Sequence, residues 1–316
     1  MRVVFFGTPF FSACVLNYLL DKGVDVVAVV TQPDRPQGRS GMPVFSAVKQ
    51  VVLSRKLSIP IYQEEKISSS GSVEKLALLE ADLFVVVAFG EIIKENLLNM
   101  PRYGCINLHT SILPKYRGAA PIQRAIMEGE VETGVTVMYM AKKLDNGDII
   151  KIVKTPIEEN MTYGEVEENL CEIGKEALHQ VIVSFTRGVV EGRKQSDEDS
   201  TYAKKIETMD CMLSWDLPAK SLHNLVRGVT PKPGAWCYIL LRGKKRRLKI
   251  KATRVVEGKG ESGQLISYGK EGVVVACGKD ALSLLEIQLE GKKTILAKDF
   301  VQGVSQKELA FILQGG

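Results

Sequence analysis

The chain has 316 residues, enough for two domains of ordinary size, with 45% hydrophobic and 25% charged residues, as in a typical globular protein. No apolar run approaches the ~20 residues that a membrane-spanning helix needs, so we expect a cytoplasmic protein that does not contact a membrane. The six cysteines are scattered without a C-x-x-C pair, which argues for reduced thiols and against a zinc cluster or a disulfide framework.

The first half of the chain alternates apolar strands with helices. Strands are predicted at Val3–Phe6, Val24–Val30, Ile59–Tyr62, Asp82–Phe89 and Cys105–His109, and helices at about Ser12–Asp21, Ser46–Lys56 and Val73–Glu80. Fully apolar strands separated by helices are typical of a parallel sheet that is covered on both faces. We therefore predict an α/β protein whose first domain has a Rossmann-like parallel sheet. The single Gly7 does not form a G-x-G-x-x-G motif, so dinucleotide binding is disfavoured.

Further elements extend this domain to a charged, aperiodic stretch. We predict a helix at Ala120–Met127, strands at Val135–Met140 and Asp148–Ile157, and a long amphipathic helix at about Thr162–Arg187. The stretch Arg187–Thr201 bears glycine and many charges, as linkers often do. We therefore predict a first domain at residues 1–190, a linker at 191–203 and a C-terminal domain at 204–316.

The C-terminal region reads as one helix followed by short strands. The helix is predicted at Pro218–Gly228, and the strands at Trp236–Leu241, Leu248–Thr253, Gly263–Ser267, Gly272–Ala276 and Ala281–Leu289. Short strands at this spacing favour a small β-barrel of the OB type, which commonly binds oligonucleotides.

Charge is distributed unevenly between the two regions. Residues 1–202 have 22 Lys and Arg against 26 Asp and Glu, whereas residues 203–316 have 20 against 11, a net charge of +9. The stretch RGKKRRLKIK (242–251), which reads as a hairpin, has seven basic residues among ten. A basic module joined to a nearly neutral one indicates a polyanionic substrate, and the alternative is a solvated hairpin.

The clearest chemical signal is the pair Asn107 and His109 at the end of a predicted strand. Residues two apart on a strand point to the same side, so the amide and the imidazole should face one ligand. An amide donates to a developing oxyanion and an imidazole moves a proton, which suits carbonyl chemistry. The alternative is that both side chains satisfy loop backbone groups. Asp145 follows the strand Val135–Met140 and would reach the same rim if the two strands are neighbours.

The segments INLHTSILPKYRGAAPIQRAI (106–126), ETGVTVM (132–138) and LDNGD (144–148) resemble the folate-dependent formyltransferases, and within them those that act on methionyl-tRNA. The resemblance implies a catalytic constellation of Asn107, His109 and Asp145. It also implies a folate site bordered by Ser111, Ile112, Leu113 and Pro114 and lined by Phe89, Gly90, Glu91, Ile92 and Ile93. The side chains at 89–93 could equally belong to the core. The stretch SWDLPAKSLHNLVRGVTPKPGAW (214–236) resembles the start of the family's C-terminal domain.

In the resembling family, the loop that matches Gln32–Phe45 contacts the acceptor stem of the tRNA. The match places this role on Arg39, although the loop lacks two lysines that family members commonly carry, and a mobile surface loop is the alternative. For the basic hairpin, the tRNA-binding candidates are Lys244, Lys245, Arg246 and Arg247.

The resemblance implies transfer of a formyl group from 10-formyltetrahydrofolate, a co-substrate, to the α-amino group of methionyl-initiator tRNA. The product is N-formylmethionyl-tRNA, which serves translation initiation. No metal is expected, and we expect a monomer. The alternatives are a formyltransferase acting on an amino-sugar nucleotide or another small amine, and a non-catalytic RNA-binding protein.

Overall fold

The computed structural model describes residues 1–36, 41–270 and 272–312, which form two compact units. The first unit contains Met1–Gly118, Glu132–Thr155 and Glu167–Ala203. The second contains Ala119–Val131, Pro156–Val166 and the chain from Lys204 onward. The units are therefore interleaved in sequence, and the domain boundaries inferred from composition stay a prediction.

The elements up to residue 203 follow the predicted alternation. The strands are β1 (Val3–Gly7), β2 (Val26–Val30), β3 (Arg35–Pro36), β4 (Pro43–Val44), β5 (Ile61–Tyr62), β6 (Leu83–Val87), β7 (Cys105–His109), β8 (Arg117–Gly118), β9 (Glu132–Tyr139), β10 (Ile149–Pro156) and β11 (Tyr202–Ala203). The helices are α1 (Phe10–Asp21), α2 (Ala47–Ser54), α3 (Ser70–Ala77), α4 (Glu95–Leu98), α5 (Pro121–Met127) and α6 (Tyr163–Phe185).

The main sheet of the first unit has the strand order β10-β9-β7-β6-β1-β2-β5. The five neighbouring strands β5, β2, β1, β6 and β7 are parallel, and β9 runs antiparallel to β7. Every residue of β1 and β6 is buried, as expected for strands that are covered on both faces. The α/β prediction is confirmed. From β1 the chain adds β2 and β5 on one side and then returns to add β6 and β7 on the other side. In sheets of this kind, ligands bind at such a switch point, outside the carboxyl ends of the strands.

Strand β2 shows how local hydrogen bonds set the limits of an element. The sequence predicts a strand from Val24, but the Val24 N–H donates to Leu19 O at 3.0 Å and so helps close the end of α1. Val24 therefore belongs to the turn, because its N–H is already paired with the end of the helix.

The second unit has helices α5, α7 (Ala219–Gly228) and α8 (Ala297–Gly303). Its strands are β12 (Ala235–Leu241), β13 (Lys244–Val256), β14 (Leu265–Gly269), β15 (Gly272–Ala276), β16 (Ala281–Leu289), β17 (Ile295–Leu296) and β18 (Leu309–Phe311). The strand order is β14-β15-β16-β13-β12-β18, with β17 beside β16, and the antiparallel sheet curls into a nearly closed barrel. The predicted barrel is confirmed, whereas α8, β17 and β18 were not predicted from the sequence.

Four of the two-residue strands form two small ladders. Strand β3 pairs antiparallel with β4, and β8 pairs parallel with β11. Within the described ranges, no helix combines the length and the apolar character that crossing a membrane requires.

Candidate active site

The predicted trio of polar residues meets at the carboxyl end of β7. Asn107 and His109 lie on β7, and β9 pairs beside it and leads into the turn that carries Asp145. The Asn107 Nδ2 lies 3.5 Å from Asp145 Oδ1, and the His109 Nδ1 lies 3.7 Å from Asp145 Oδ2. His109 is 6% exposed and Asp145 is 9% exposed, while Asn107 is half-buried. The amide, imidazole and carboxylate thus form one contiguous group.

The orientation of the His109 ring is set by the main chain of the following loop. The His109 Nε2 donates to the carbonyl oxygen of Tyr116 at 2.9 Å. A carbonyl can only accept, so Nε2 carries the proton and the neutral ring has its lone pair on Nδ1. Nδ1 is also the atom nearest to Asp145. This nitrogen is therefore the one that can take up a proton beside a carboxylate.

Asp145 is held through its backbone and its side chain. Its φ is +51°, in the left-handed region, and its Oδ2 accepts from the Gly118 N–H at 2.8 Å. A Cβ added at Gly147, two residues on, would lie 1.7 Å from Tyr139 O, so only glycine fits this turn. The turn between β9 and β10 consequently packs tightly against the end of β9.

The loop 111–114, predicted to border a folate site, is tied to β9. The Thr136 Oγ1 donates to Ser111 O at 2.6 Å and accepts from the Leu113 N–H at 3.2 Å. The Ser111 Oγ donates to Lys115 O at 2.7 Å, and Leu113 is buried against Met138 and Ile149. These contacts occupy the side chains of Ser111 and Leu113 within the protein. Ile112 and Pro114 are the partly exposed members of the predicted set.

The segment 89–93 divides between core and surface. Phe89 is buried edge-on against Phe6 with ring centroids 5.6 Å apart, and Ile93 is also buried. Gly90 is exposed with φ of +92°, and Ile92 is 74% exposed. The side chains of Phe89 and Ile93 are thus core residues, while Gly90 and Ile92 face outward.

Glu91 fastens this segment to the preceding part of the chain. Its Oε1 accepts from the Ile67 N–H at 3.1 Å. Burial raises the pKa of Glu91 above its usual value, and the Ile67 hydrogen bond offsets part of that rise. The carboxylate of Glu91 is therefore engaged with the backbone.

Arg39 lies outside the described residues. The loop that contains it is flanked by β3 and β4, in which Arg35 pairs with Val44 and Pro36 with Pro43. The sequence did not predict this short ladder, because the local composition of Pro and Gly disfavours strands.

The four basic residues of the predicted hairpin lie at the tip of β12 and β13, and alternation divides them between two faces. Arg247 pairs with Tyr238 and Lys245 with Leu240. The Arg247 guanidinium stacks 4.1 Å from the Trp236 ring, and the Lys245 ammonium lies 4.6 Å from the Tyr238 ring. Lys244 and Arg246 lie on the other face, where the next residues along β13 are buried, and Arg246 pairs with Glu290 at 3.2 Å.

Sequence reasoning missed Gln195, Arg117 and Thr136, which contact the loops around the site. Gln195 and Arg117 hydrogen-bond to each other, and Gln195 bonds the main chain of Asp145. No local pattern marks these residues, since their partners lie far away in sequence. In the described part of the chain, no group of three or more His, Cys, Asp or Glu side chains is arranged to hold a metal ion.

The polar trio at the end of β7 has the groups that carbonyl chemistry uses, and comparison with known families identifies the class of protein. Residues 1–182 match the family model "Formyl transferase", and residues 205–305 match "Formyl transferase, C-terminal domain". The chain belongs to the formyl transferase family.

Within this family, the chain is similar along almost its whole length to proteins named methionyl-tRNA formyltransferase. It is 51% identical to that of Protochlamydia amoebophila over 314 residues, covering 99% of this chain and 98% of the relative. It is 43% identical to that of Bacillus licheniformis over 305 residues, covering 96% and 95%.

Solved structures share the fold at much lower sequence identity. HypX from Aquifex aeolicus in complex with tetrahydrofolic acid superposes with a TM-score of 0.64 at 19% identity, covering 96% of this chain and 47% of that one. A Helicobacter canadensis N-formyltransferase, solved with folinic acid and dTDP-3-aminofucose, gives a TM-score of 0.63 at 19% identity, covering 90% and 99%. At this identity the likeness shows the fold alone.

Proposed function

We propose that this protein transfers the formyl group of 10-formyltetrahydrofolate to the α-amino group of methionyl-initiator tRNA. The product, N-formylmethionyl-tRNA, would serve translation initiation. The observation that carries the proposal is similarity to methionyl-tRNA formyltransferases along almost the whole chain, including the basic C-terminal region. A small amino-sugar substrate would not require that net positive charge.

The proposed chemistry assigns one task to each member of the trio. The amine nitrogen attacks the formyl carbon, the C–N bond forms, and negative charge develops on the formyl oxygen. Asn107 donates to that oxygen, since an amide placed this way stabilises the transition state by roughly 3–4 kcal/mol. His109 takes the proton that the amine loses, on Nδ1, and Asp145 stabilises the resulting imidazolium. Collapse breaks the bond to N10 of the folate, and N10 takes the proton from His109 as it leaves, which restores the neutral imidazole.

The binding regions form a second part of the proposal. The folate would contact the loop 111–114 and the segment 89–93, with Ile112, Pro114, Gly90 and Ile92 as the exposed positions. The tRNA would contact Arg39 and the hairpin residues Lys244, Lys245, Arg246 and Arg247. Residues 1–190 would then carry the catalytic groups, and 191–203 would lead to the tRNA-binding domain at 204–316.

A competition between acceptors tests the proposal. The purified full chain receives 10-formyltetrahydrofolate with methionyl-initiator tRNA, glycinamide ribonucleotide or a nucleotide-linked amino sugar, and the formylated product is measured. We expect formylation of the tRNA-bound methionine and a much lower rate with the small amines. A preference for the amino sugar would replace the proposed substrate class, and no formylation of any acceptor would leave the RNA-binding alternative.

A further inference from the structure

The side chain of Gln195 connects two loops of the site. Its Nε2 donates to the carbonyl oxygens of Asp145 at 2.9 Å and Gly147 at 2.8 Å. Its Oε1 accepts from Arg117 Nε at 3.1 Å and Nη2 at 3.0 Å. A primary amide has two donor hydrogens and one oxygen that accepts two hydrogen bonds. Gln195 therefore uses its complete hydrogen-bonding capacity between Arg117 and the turn that carries Asp145.

Arg117 is also held by two other residues of the segment that contains Gln195. Its Nη1 pairs with Asp197 Oδ1 at 2.8 Å, its backbone N–H donates to Thr201 O at 2.9 Å, and its side chain is 12% exposed. We call Gln195, Arg117 and Asp197 the Gln195 network. The residue after Arg117 is Gly118, whose N–H donates to the Asp145 carboxylate. The segment before β11 and the strand β8 thus hold Asp145 at its main-chain oxygen and at its side chain.

The backbone of Asp145 requires such support. A φ of +51° is sparsely populated for residues other than glycine and persists only where neighbouring groups hold it. Without Gln195, the Asp145 and Gly147 carbonyls would lose their side-chain donor. The turn would then be free to relax, and the carboxylate would move relative to His109 Nδ1.

We infer that Gln195 and Arg117 are positioning residues that hold the Asp145 carboxylate in its place beside Asn107 and His109. Neither residue has a proposed contact with the substrate, and both act through Asp145. The inference rests on the proposed function, because it assigns Asp145 a part in formyl transfer. It also makes the stretch 193–203, which the sequence indicates as a linker, a structural part of the active site.

Gln195→Met in the full chain tests this inference, since methionine keeps the length of the side chain and removes its hydrogen bonds. We expect kcat to fall about tenfold or more, because small displacements of catalytic groups are costly. The KM values for the tRNA and for the formyl donor should stay within about twofold, because neither contacts Gln195. Glu198→Gln, an exposed change in the same segment, is the matched control and should behave as the wild type. An unchanged kcat in Gln195→Met would overturn the inference.

A double-mutant cycle separates positioning from a general loss of structure. In an Asp145→Asn background, measured under single-turnover conditions, Gln195→Met should cause little further loss if it acts through Asp145. A loss that multiplies fully with that of Asp145→Asn would overturn the inference.

Hydrogen exchange of the peptide that contains the Gly118 amide provides a readout without substrate. Exchange should become faster in Gln195→Met at an unchanged melting temperature. Unchanged exchange would contradict the inference that the Gln195 network holds Asp145 in place. If instead the wild type fails to formylate methionyl-tRNA, the proposed function fails, and this exchange measurement still decides the role of Gln195.

Discussion

Asn107 and His109 on β7, with Asp145 in the turn after β9, are the side chains that the proposed function uses as hydrogen-bond donor, base and anion. The Asp145 carboxylate lies 3.5 Å from the Asn107 amide nitrogen and 3.7 Å from His109 Nδ1, and His109 and Asp145 are buried. Burial increases their electrostatic effect, because charge that develops near them is poorly screened by water. At the scale of single residues, the proposed function therefore depends on this trio.

We expect Asn107→Ala, His109→Ala and Asp145→Ala each to lower kcat by ~10²–10³-fold, the range found when one preorganised donor is removed. Each loss should be far from additive in double variants, because the residues act as a unit. Steady-state kinetics and thermal melting measure this. A variant that melts normally and retains activity within about threefold, roughly 0.7 kcal/mol, would remove that residue from the mechanism.

A second prediction at this scale concerns His223, a buried residue of α7. Its Nδ1 lies 2.9 Å from Thr253 Oγ1, and burial, together with nearby Arg227, lowers the pKa of His223. The unfolded chain then binds the proton more tightly, so the free energy of unfolding should fall as the pH drops below about 6.5, by at most ~1.4 kcal/mol per unit. His223→Asn should show a smaller fall in urea titrations between about pH 7.5 and 5.5. Identical pH slopes would contradict this assignment.

At the scale of elements, the β12–β13 hairpin shows how strand alternation distributes charge. Lys249 lies opposite Trp236, Arg247 opposite Tyr238 and Lys245 opposite Leu240. Successive same-face positions therefore present three cations, a combination that suits the phosphates of a nucleic acid. Lys244 and Arg246 point to the other face, and one of them is already paired with Glu290.

We therefore expect Lys245→Gln with Arg247→Gln to weaken tRNA binding more than Lys244→Gln with Arg246→Gln does. The first pair should also reduce the slope of log K against log salt by about 0.7–0.9 for each phosphate that is no longer neutralised. Binding titrations at several salt concentrations measure both quantities, and the second pair is the matched control of equal charge. If neither pair changes the affinity or the slope, the hairpin is a solvated surface.

At the scale of the whole molecule, the two compact units do not follow the order of the sequence. Helix α5 and the stretch Pro156–Val166, which includes the first residues of α6, belong to the second unit although the first unit resumes at Glu167. Met127 of α5 packs on the core of the second unit, and a Cβ added at Gly228 of α7 would lie 3.0 Å from it. Arg227 donates to the carbonyl oxygen of Met161 at 3.1 Å. The early part of the chain thus supplies structure to the C-terminal unit.

A chain cut after residue 203 should consequently be less stable than the full chain. Helix α5 would lose α7, and each large apolar side chain that is newly exposed costs about 1.5–3 kcal/mol. We expect a lower melting temperature and binding of a hydrophobic dye, and Met127→Gln in the shortened chain should reduce that dye binding. A shortened chain that melts like the full protein and binds no dye would show that residues 1–203 form an independent domain.

Much of this protein can be derived from its sequence, because its signals are local. Strands that are buried on both faces must be apolar throughout, so the parallel sheet is visible as runs such as the one at β6. The two-residue period of a strand directs Asn107 and His109 to one side, and the basic run is a matter of composition. Resemblance supplied the roles of these residues, but their arrangement follows from elementary geometry.

Only the tertiary structure decided which distant groups meet. Gln195 lies in an aperiodic stretch, and its partners, Asp145 and Arg117, are 50 and 78 residues away. The pairing of β8 with β11 and the division of the hairpin between two faces likewise depend on strand register. Phe89 and Ile93 are apolar in either a pocket or a core, and only packing places them in the core. Contacts between remote segments leave no local periodicity, because they form only after the sheet has positioned both partners.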